Sequence, residues 1–340
     1  MTVEDLLRRR VVVLSGKGGV GKSILSATLA WIALSAGKRV LIVELDTIVT
    51  IPHFFGVHRD DSYTEIPLRE RLSSFHIDGK SALEEYLRLV LRSRKLTERI
   101  FRSPIYQYFV EVAPGLKELM TIGKIWDLEQ ARDAQGTGPK YDLIVVDTPA
   151  TGHTPSYFRM PQAAVKTIRR GFIRREAQKV ADLLQDSEKV VFTIVTTLEE
   201  MPVNEAIELH QILTSQLRLP LGGIFANKVY PPFLQGELYE EYVRWRQGML
   251  EERGTDRTVT GACGGPADSL MLRYAESWRK RRRDNESYLE RLRTTTACDI
   301  YHVPFLFSTK VDLDFIGRLA QCVMREYRIA PDLSARQSSP

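Results

Sequence analysis

The stretch that decides the fold is VVVLSGKGGVGKS, from Val11 to Ser23. Its first four residues are apolar and predict a short buried strand. A glycine-rich loop follows, and Ser23 opens a helical pattern that reaches about Ser35. Glycine lets backbone N–H groups approach anions, and a helix N-terminus carries partial positive charge. The stretch therefore predicts a phosphate-binding site between a strand and a helix.

The loop matches the whole pattern G-x-x-x-x-G-K-S/T, which is more than a plain glycine turn before a helix would require. In this pattern the lysine, here Lys22, reaches the β- and γ-phosphates of a nucleotide, and the hydroxyl of Ser23 binds Mg²⁺. The predicted cofactors are therefore ATP and Mg²⁺. The residues expected around the phosphates are Gly16, Gly18, Gly19, Val20, Gly21, Lys22 and Ser23.

The composition is that of an ordinary globular protein, with 340 residues, 43% of them hydrophobic and 27% charged. A net charge of +5 gives no indication of a nucleic-acid partner. Three cysteines without a C-x-x-C pair suit a reducing compartment and predict no disulfide or zinc framework. Neither a secretion signal nor an apolar run of membrane-spanning length is found, so we expect a cytoplasmic protein, with peripheral membrane association left open.

Six apolar runs predict the strands of a mostly parallel sheet, at residues 11–14, 39–43, 143–146, 190–195, 221–226 and 300–303. Most are continuous in Val, Ile and Leu, which is typical of strands covered on both faces. Helical patterns separate them, including those at residues 113–128, 199–217, 236–251 and 268–293. The order predicts a doubly wound α/β fold, in which ligands bind at the carboxyl ends of the strands. The basic run at residues 279–283 is most simply a solvated helix face.

Two stretches interrupt this alternation, at residues 81–133 and 155–184. Both have helical apolar patterns and predict insertions that form a second layer beside the sheet. We expect one domain over residues 1–330 that includes this helical subdomain, and a disordered tail over 331–340. Helical apolar residues are usually core, but these stretches also offer a candidate groove flanked by the arginines at 169, 170, 174 and 175. The apolar residues expected in the groove are Ile105, Tyr106, Phe109, Phe158, Met160, Val165 and Phe172.

The second motif is YDLIVVDTPATGHT, from Tyr141 to Thr154. Its apolar strand brings Asp147 to the edge of the sheet, where a carboxylate can hold Mg²⁺ through water. The small residues after Asp147 suit a segment that senses the γ-phosphate and changes conformation when it leaves.

A second lysine, Lys17, lies inside the phosphate loop and gives KGGVGK. This deviant Walker A loop, together with DTPATGHT at residues 147–154, resembles the family of arsenite-pump ATPases and tail-anchored-protein targeting ATPases. Nitrogenase iron protein and the Min and Par ATPases have a similar loop, but the Gly-His-Thr of residues 152–154 resembles the first branch alone. The likeness covers residues 11 to about 318 and is strongest to the bacterial proteins with a single ATPase unit.

The resemblance implies ATP hydrolysis by a dimer, either of identical chains or with a paralogue, in which Lys17 reaches the partner's nucleotide. It also implies that Asp46, which follows the second strand, positions the attacking water. The residues around Asp46 depart from the family's STDPA, since Glu44 and Leu45 precede it and Thr47 and Ile48 follow. The hydrolysis rate is therefore left open, and an alternative role for Asp46 is to cap a turn.

Three further residues fall on the family's base-binding positions. Asn227 follows the fifth predicted strand, where the family has an asparagine that bonds adenine. Pro304 and Phe305 follow the sixth, in a segment that packs on the base in the family.

Four functions remain open from the sequence. The first is ATP-driven binding of a hydrophobic protein segment or membrane-protein client, favoured by the Gly-His-Thr motif and the two helical stretches. The second is the catalytic subunit of an arsenite or other anion pump, which needs converging thiolates; only Cys263 lies in an exposed-looking loop. A Min- or Par-like positioning ATPase is disfavoured, because the tail is not an amphipathic membrane helix. The fourth is a hydrolysis-impaired partner of a paralogous ATPase.

Overall fold

The computed structural model describes residues 1–45, 48–59, 61–91, 99, 101–103, 115–150, 154–231, 244 and 266–329. Its described strands are β1 (Val11–Gly16), β2 (Val40–Glu44), β3 (Glu65–Arg69), β4 (Leu72–His76), β5 (Leu143–Ala150), β6 (Val190–Thr197), β7 (Leu221–Val229) and β8 (Ile300–Pro304). They form one sheet in the order β3-β4-β2-β5-β1-β6-β7-β8. The β3–β4 pair is antiparallel and the other neighbouring pairs are parallel.

The six strands expected from apolar runs are confirmed, and the fold is the predicted α/β class. Strands β3 and β4 were not predicted, because their short sequences mix polar and apolar residues. β3 alternates in burial along its length and contains Pro67, which suits its position at the edge of the sheet. Edge strands have one partner and one exposed side, so they lack the continuous apolar runs that mark the central strands.

The described helices are α1 (Val3–Leu7), α2 (Lys22–Ser35), α3 (Ile51–Phe54), α4 (Gly79–Leu91), α5 (Leu116–Gln130), α6 (Thr154–Thr167), α7 (Phe172–Gln185), α8 (Glu200–Gln211), α9 (Pro266–Thr296) and α10 (Leu313–Glu326). A π-helical turn, Ile212–Gln216, extends α8. The helix predicted over 236–251 lies outside the described residues except for residue 244, and so does the tail at 331–340.

Successive side chains of the central strand β1 pack alternately into two different cores, because neighbouring residues of a strand point to opposite faces of the sheet. Val11 and Val13 pack with a core that includes residues of α4 to α9. Val12 and Leu14 pack with a core that includes residues of α1, α2, α3 and α10. All four are at most 1% exposed, as expected for a strand in the middle of a sheet with helices on both faces.

Helices α4 to α7 come from the two stretches that interrupt the predicted alternation, and they pack on one another and on the sheet. One expectation for the groove is wrong: Phe158 is 1% exposed and its ring meets Phe192 of β6 edge-on, with centroids 4.8 Å apart. The start of α6 lies beside the sheet, so an apolar side chain there becomes core. Met160 and Val165 are partly buried against the same core. The other four proposed groove positions are outside the described side chains: Ile105, Tyr106, Phe109 and Phe172.

Of the helices in the described ranges, none has both the length and the apolar content needed to cross a membrane.

Candidate nucleotide-binding site

The phosphate loop connects β1 to α2 at the carboxyl edge of the sheet. Two of its glycines have no room for a side chain. A Cβ at Gly16 would collide with the carbonyl oxygen of Val195 in β6, and one at Gly21 would collide with the side-chain amide of Asn227. Gly21 also has φ of +92°, a left-handed conformation that favours glycine. The loop is therefore a close-packed backbone turn, as a phosphate cradle requires.

The ammonium group of Lys22 is folded back over this loop. Its Nζ donates to the carbonyl oxygens of Gly16 (2.9 Å) and Lys17 (3.0 Å), and the residue is 9% exposed. A positive charge therefore lies within the curve of the loop. This arrangement fits a group with several anionic oxygens.

The oxygen ligands proposed for Mg²⁺ come from α2 and β5. Asp147 is 5% exposed, and its Oδ1 accepts a hydrogen bond from Ser26 Oγ (3.2 Å). Ser23 is half-buried and precedes Ser26 by about one turn of α2. A hydroxyl and a carboxylate are hard oxygen ligands, which is the donor set that Mg²⁺ prefers beside phosphates. The residues present thus fit the metal.

Lys17 pairs with a carboxylate of its own chain. Its Nζ lies 2.8 Å from Oε1 of Glu205 in α8, and both side chains are 30% exposed. Lys17, which the family resemblance assigns to a partner's nucleotide, thus forms an ion pair within its own chain.

Asn227 touches the phosphate loop directly. Its Nδ2 donates to the carbonyl oxygen of Val20 (2.7 Å) and its Oδ1 accepts from the N–H of Lys228 (2.9 Å), with the residue 6% exposed. On the neighbouring strand β8, Pro304 pairs with Val229, and the N–H of Phe305 donates to the Val229 carbonyl (2.9 Å). The predicted base-binding residues thus end two adjacent strands beside the phosphate loop.

Comparison with known proteins agrees with this geometry. The family model of the anion-transporting ATPases, ArsA type, matches residues 9–176. The chain is 29% identical to ATPase BagA of Mycobacterium tuberculosis over 231 residues, which cover 66% of this chain and 67% of BagA. It is 26% identical over 170 residues to ATPase get3 of Schizosaccharomyces japonicus, covering 49% of each chain.

A third relative is a candidate arsenical pump-driving ATPase of Aquifex aeolicus, 28% identical over 275 residues that cover 72% of this chain and 88% of the relative. These matches support the ArsA/Get3 family of ATPases for this chain. Its phosphate loop is accordingly that of an ATP-hydrolysing P-loop enzyme, as the sequence predicted.

Helix α9 supports the loop that follows β7. In α9, Trp278 Nε1 donates to the carbonyl oxygen of Pro231 (2.8 Å), and Arg282 Nη1 donates to that of Tyr230 (2.6 Å). Asn285, which is 5% exposed, accepts from the N–H of Tyr230 (3.0 Å). The Tyr230 ring in turn stacks on Phe305, with centroids 5.1 Å apart. The basic run is therefore more than the solvated face expected from sequence, because Arg282 fixes the loop after β7.

Two expected parts of the hydrolysis machinery lie outside the described residues, namely Asp46 and the segment 151–153 that includes His153. Sequence reasoning missed Glu205 and Ser26. Ser26 could have been found from its spacing of three residues after Ser23, which puts both on one helix face. Nothing in the sequence distinguishes Glu205 as a partner of Lys17, since glutamates are common on exposed helix faces.

A cavity of about 120 Å³ lies in the helical layer between α4, α5 and α7. Its rim carries a polar cluster in which Lys124 Nζ donates to both carboxylate oxygens of Glu85 (2.8 and 2.7 Å), and the Tyr63 hydroxyl donates to the same carboxylate. Burial raises the pKa of Asp127 and that of Tyr63. The apolar lining includes Ala82, Leu119, Met120, Ala177 and Val180.

Proposed function

We propose that this ATPase works as a dimer that couples its nucleotide state to the binding of a hydrophobic protein segment. The observation that carries the proposal is the path from β5 to α6. Asp147 lies on β5, Ala150 of the same strand pairs with Gly16 of the phosphate loop, and α6 begins at Thr154. A conformational change at the γ-phosphate therefore has a very short route into the helical layer.

The proposed nucleotide contacts follow the geometry of the loop. The backbone N–H groups of residues 16–21 and the ammonium of Lys22 hold the phosphates, Ser23 and Asp147 hold Mg²⁺, and Asn227, Pro304 and Phe305 meet the base. When bound there, Mg²⁺ supplies charge neutralisation at the phosphate oxygens. In the structure, Asn227 donates a hydrogen bond to the carbonyl oxygen of Val20. In this proposal it contacts the base and holds the phosphate loop at the same time.

Hydrolysis in this proposal depends on Asp46, which positions the attacking water, and on Lys17 from the partner chain. A lysine supplied in trans stabilises developing charge much as an arginine finger does. Before it reaches a partner's nucleotide, Lys17 has to leave Glu205.

Two alternatives are less favoured. An arsenite or anion pump subunit is suggested by the Aquifex relative, but burial raises the pKa of Cys298 and so disfavours its thiolate; Cys322 is half-buried, and Cys263 lies outside the described residues. A hydrolysis-impaired partner of a paralogue is suggested by the altered sequence around Asp46. It would bind ATP normally and turn it over only when mixed with that paralogue.

The experiment on client binding uses photocrosslinking to a hydrophobic helical peptide, with an ATP analogue and with ADP. We expect crosslinks within residues 81–133 or 155–184 that depend on the nucleotide. A peptide of equal length with lysines in its apolar face is the control, and Lys22→Ala, which weakens triphosphate binding, should abolish the dependence. Equal labelling in both nucleotide states, or of both peptides, would contradict the coupling.

The experiment on the dimer mixes two inactive variants. Lys17→Ala retains its own Asp46, and Asp46→Asn retains its own Lys17, so each mixed dimer contains one intact site. Random mixing should restore about a quarter of the parent ATPase activity, since half of the dimers are mixed and half of their sites are complete. A parent that is monomeric and fully active at every concentration would contradict the dimer.

A further inference from the structure

The last residue of β2, Glu44, carries a carboxylate at the carboxyl edge of the sheet. It pairs in register with Asp147 of β5 on one side and with His76 of β4 on the other. The residue is 2% exposed. An ionised side chain at this depth is stable only if hydrogen bonds replace the water that it has lost.

Two backbone groups supply such bonds. Oε1 of Glu44 accepts from the N–H of Thr50 (2.7 Å) and from the N–H of Ile51 (2.9 Å), at the start of α3. Thr50 Oγ1 is directed elsewhere, since it donates to the carbonyl oxygen of Ile48 (3.4 Å). The Thr50 side chain makes no cap hydrogen bond, and Glu44 instead accepts from the first two backbone N–H groups at this helix start.

The backbone at Glu44 is held on both sides by the sheet. The N–H of Leu45 donates to the Asp147 carbonyl (3.0 Å), and the N–H of Ile77 donates to the Glu44 carbonyl (2.9 Å). At the other end of the connection, the Ile51 side chain is fully buried in the core on the α2 face. The side chain of Glu44 joins these two fixed points, the end of β2 and the start of α3.

We propose that Glu44 is a positioning residue for ATP hydrolysis. Its carboxylate ties the start of α3 to the end of β2, the strand next to the one that carries Asp147, and Asp46 lies between these two points in the sequence. The inference rests on the proposed role of Asp46. A displacement of about 1 Å in a catalytic group is enough to cost about a hundredfold in rate. We therefore expect the length of the Glu44 side chain to matter more than its charge.

Two conservative variants separate reach from charge. Glu44→Gln keeps the length and an acceptor oxygen but loses the charge, whereas Glu44→Asp keeps the charge but is one methylene too short to hold Thr50 and Ile51 as before. We expect Glu44→Gln to keep kcat within about threefold of the parent and Glu44→Asp to lose about ten- to a hundredfold. The KM for ATP should stay within about twofold in both, because the phosphate loop is untouched.

A second measurement does not depend on hydrolysis. Hydrogen exchange of a peptide that covers Thr50 and Ile51 should be faster in Glu44→Asp than in the parent and unchanged in Glu44→Gln. Equal exchange in the two variants would overturn the anchoring. A Gln variant that is slower than the Asp variant, with a shifted Mg²⁺ requirement, would overturn it in favour of a role for the charge. Parent-like hydrolysis by Asp46→Asn would instead overturn the proposed role of Asp46.

Discussion

The two flanks of the phosphate loop are built from different chemistry. On the β2–β5 flank the carboxyl-terminal parts of the strands carry two buried carboxylates, Glu44 and Asp147. Glu44 accepts from backbone N–H groups, and Asp147 accepts from a serine hydroxyl. On the β7–β8 flank the same region carries the amide of Asn227 and the stacked rings of Tyr230 and Phe305. Carboxylates interact with metal and water, whereas amides and aromatic faces recognise a base. From this difference we expect the hydrolysis rate to depend mainly on the β2–β5 flank and nucleotide affinity mainly on the β7–β8 flank.

The first prediction tests the carboxylate flank and has the largest expected effect. Asp147→Asn should lower kcat by about 10²- to 10³-fold, because charge stabilisation at the phosphates dominates phosphoryl transfer. Binding of ADP without Mg²⁺ should change little. The measurements are steady-state ATPase assays and calorimetry with ADP in EDTA.

The matched control is Asp142→Asn, since Asp142 precedes the other end of β5 and pairs with Arg39 (2.8 Å). It should retain the parent kcat. A similar loss of kcat in the two variants would mean that charge anywhere along β5 matters, and the contrast between the flanks would fail.

The second prediction tests the base flank. Asn227→Ala removes the hydrogen bond to Val20 and the proposed bond to the base, and should weaken binding of both ATP and ADP by about tenfold. At saturating ATP, kcat should remain within a fewfold of the parent. Titration with a fluorescent nucleotide and an ATPase assay over a wide ATP range would measure this. A fall in kcat without a change in affinity would reverse the assignment of the two flanks.

The third prediction concerns Lys17, which lies between the flanks and has the smallest expected effect. Glu205→Gln removes the partner of Lys17, and an ion pair that is about a third exposed contributes only about 0–1 kcal/mol. We expect the half-maximal protein concentration for ATPase activity to fall about two- to fivefold, because Lys17 is released for a partner chain. Glu208→Gln, on an exposed side of the same helix, is the control. An unchanged concentration dependence would mean that the pair does not restrain Lys17.

The central fold was predictable because its determinants are local. Continuous apolar runs identify strands buried on both faces, and the phosphate-loop pattern fixes which strand and helix it joins. The edge strand β3 and its neighbour β4, which is interrupted by two serines, have no such run. The burial of Phe158 could not be predicted either, because a helical apolar pattern does not show which face of the helix packs on the sheet and which faces solvent.

The residues proposed to hold phosphate and metal were recognisable from the sequence, since they have a fixed order along the chain. Contacts between distant residues were not. Lys17 and Glu205 are far apart in sequence, and so are Tyr230 and Asn285, yet each pair is in contact. Glu44 was visible only as a departure from a family motif, and its bonds to Thr50 and Ile51 required the geometry of the β2–α3 connection.

The contact between Gly21 and Asn227 limits how this enzyme could be redesigned. A methyl group on residue 21 would meet the Asn227 amide, and the same amide holds Val20 of the phosphate loop. A larger residue at 227, chosen to accept a different base, would therefore clash with the turn of the phosphate loop at Gly21. With Asn227 in its proposed role at the base, a change of nucleotide preference would have to be engineered at residues 21 and 227 together.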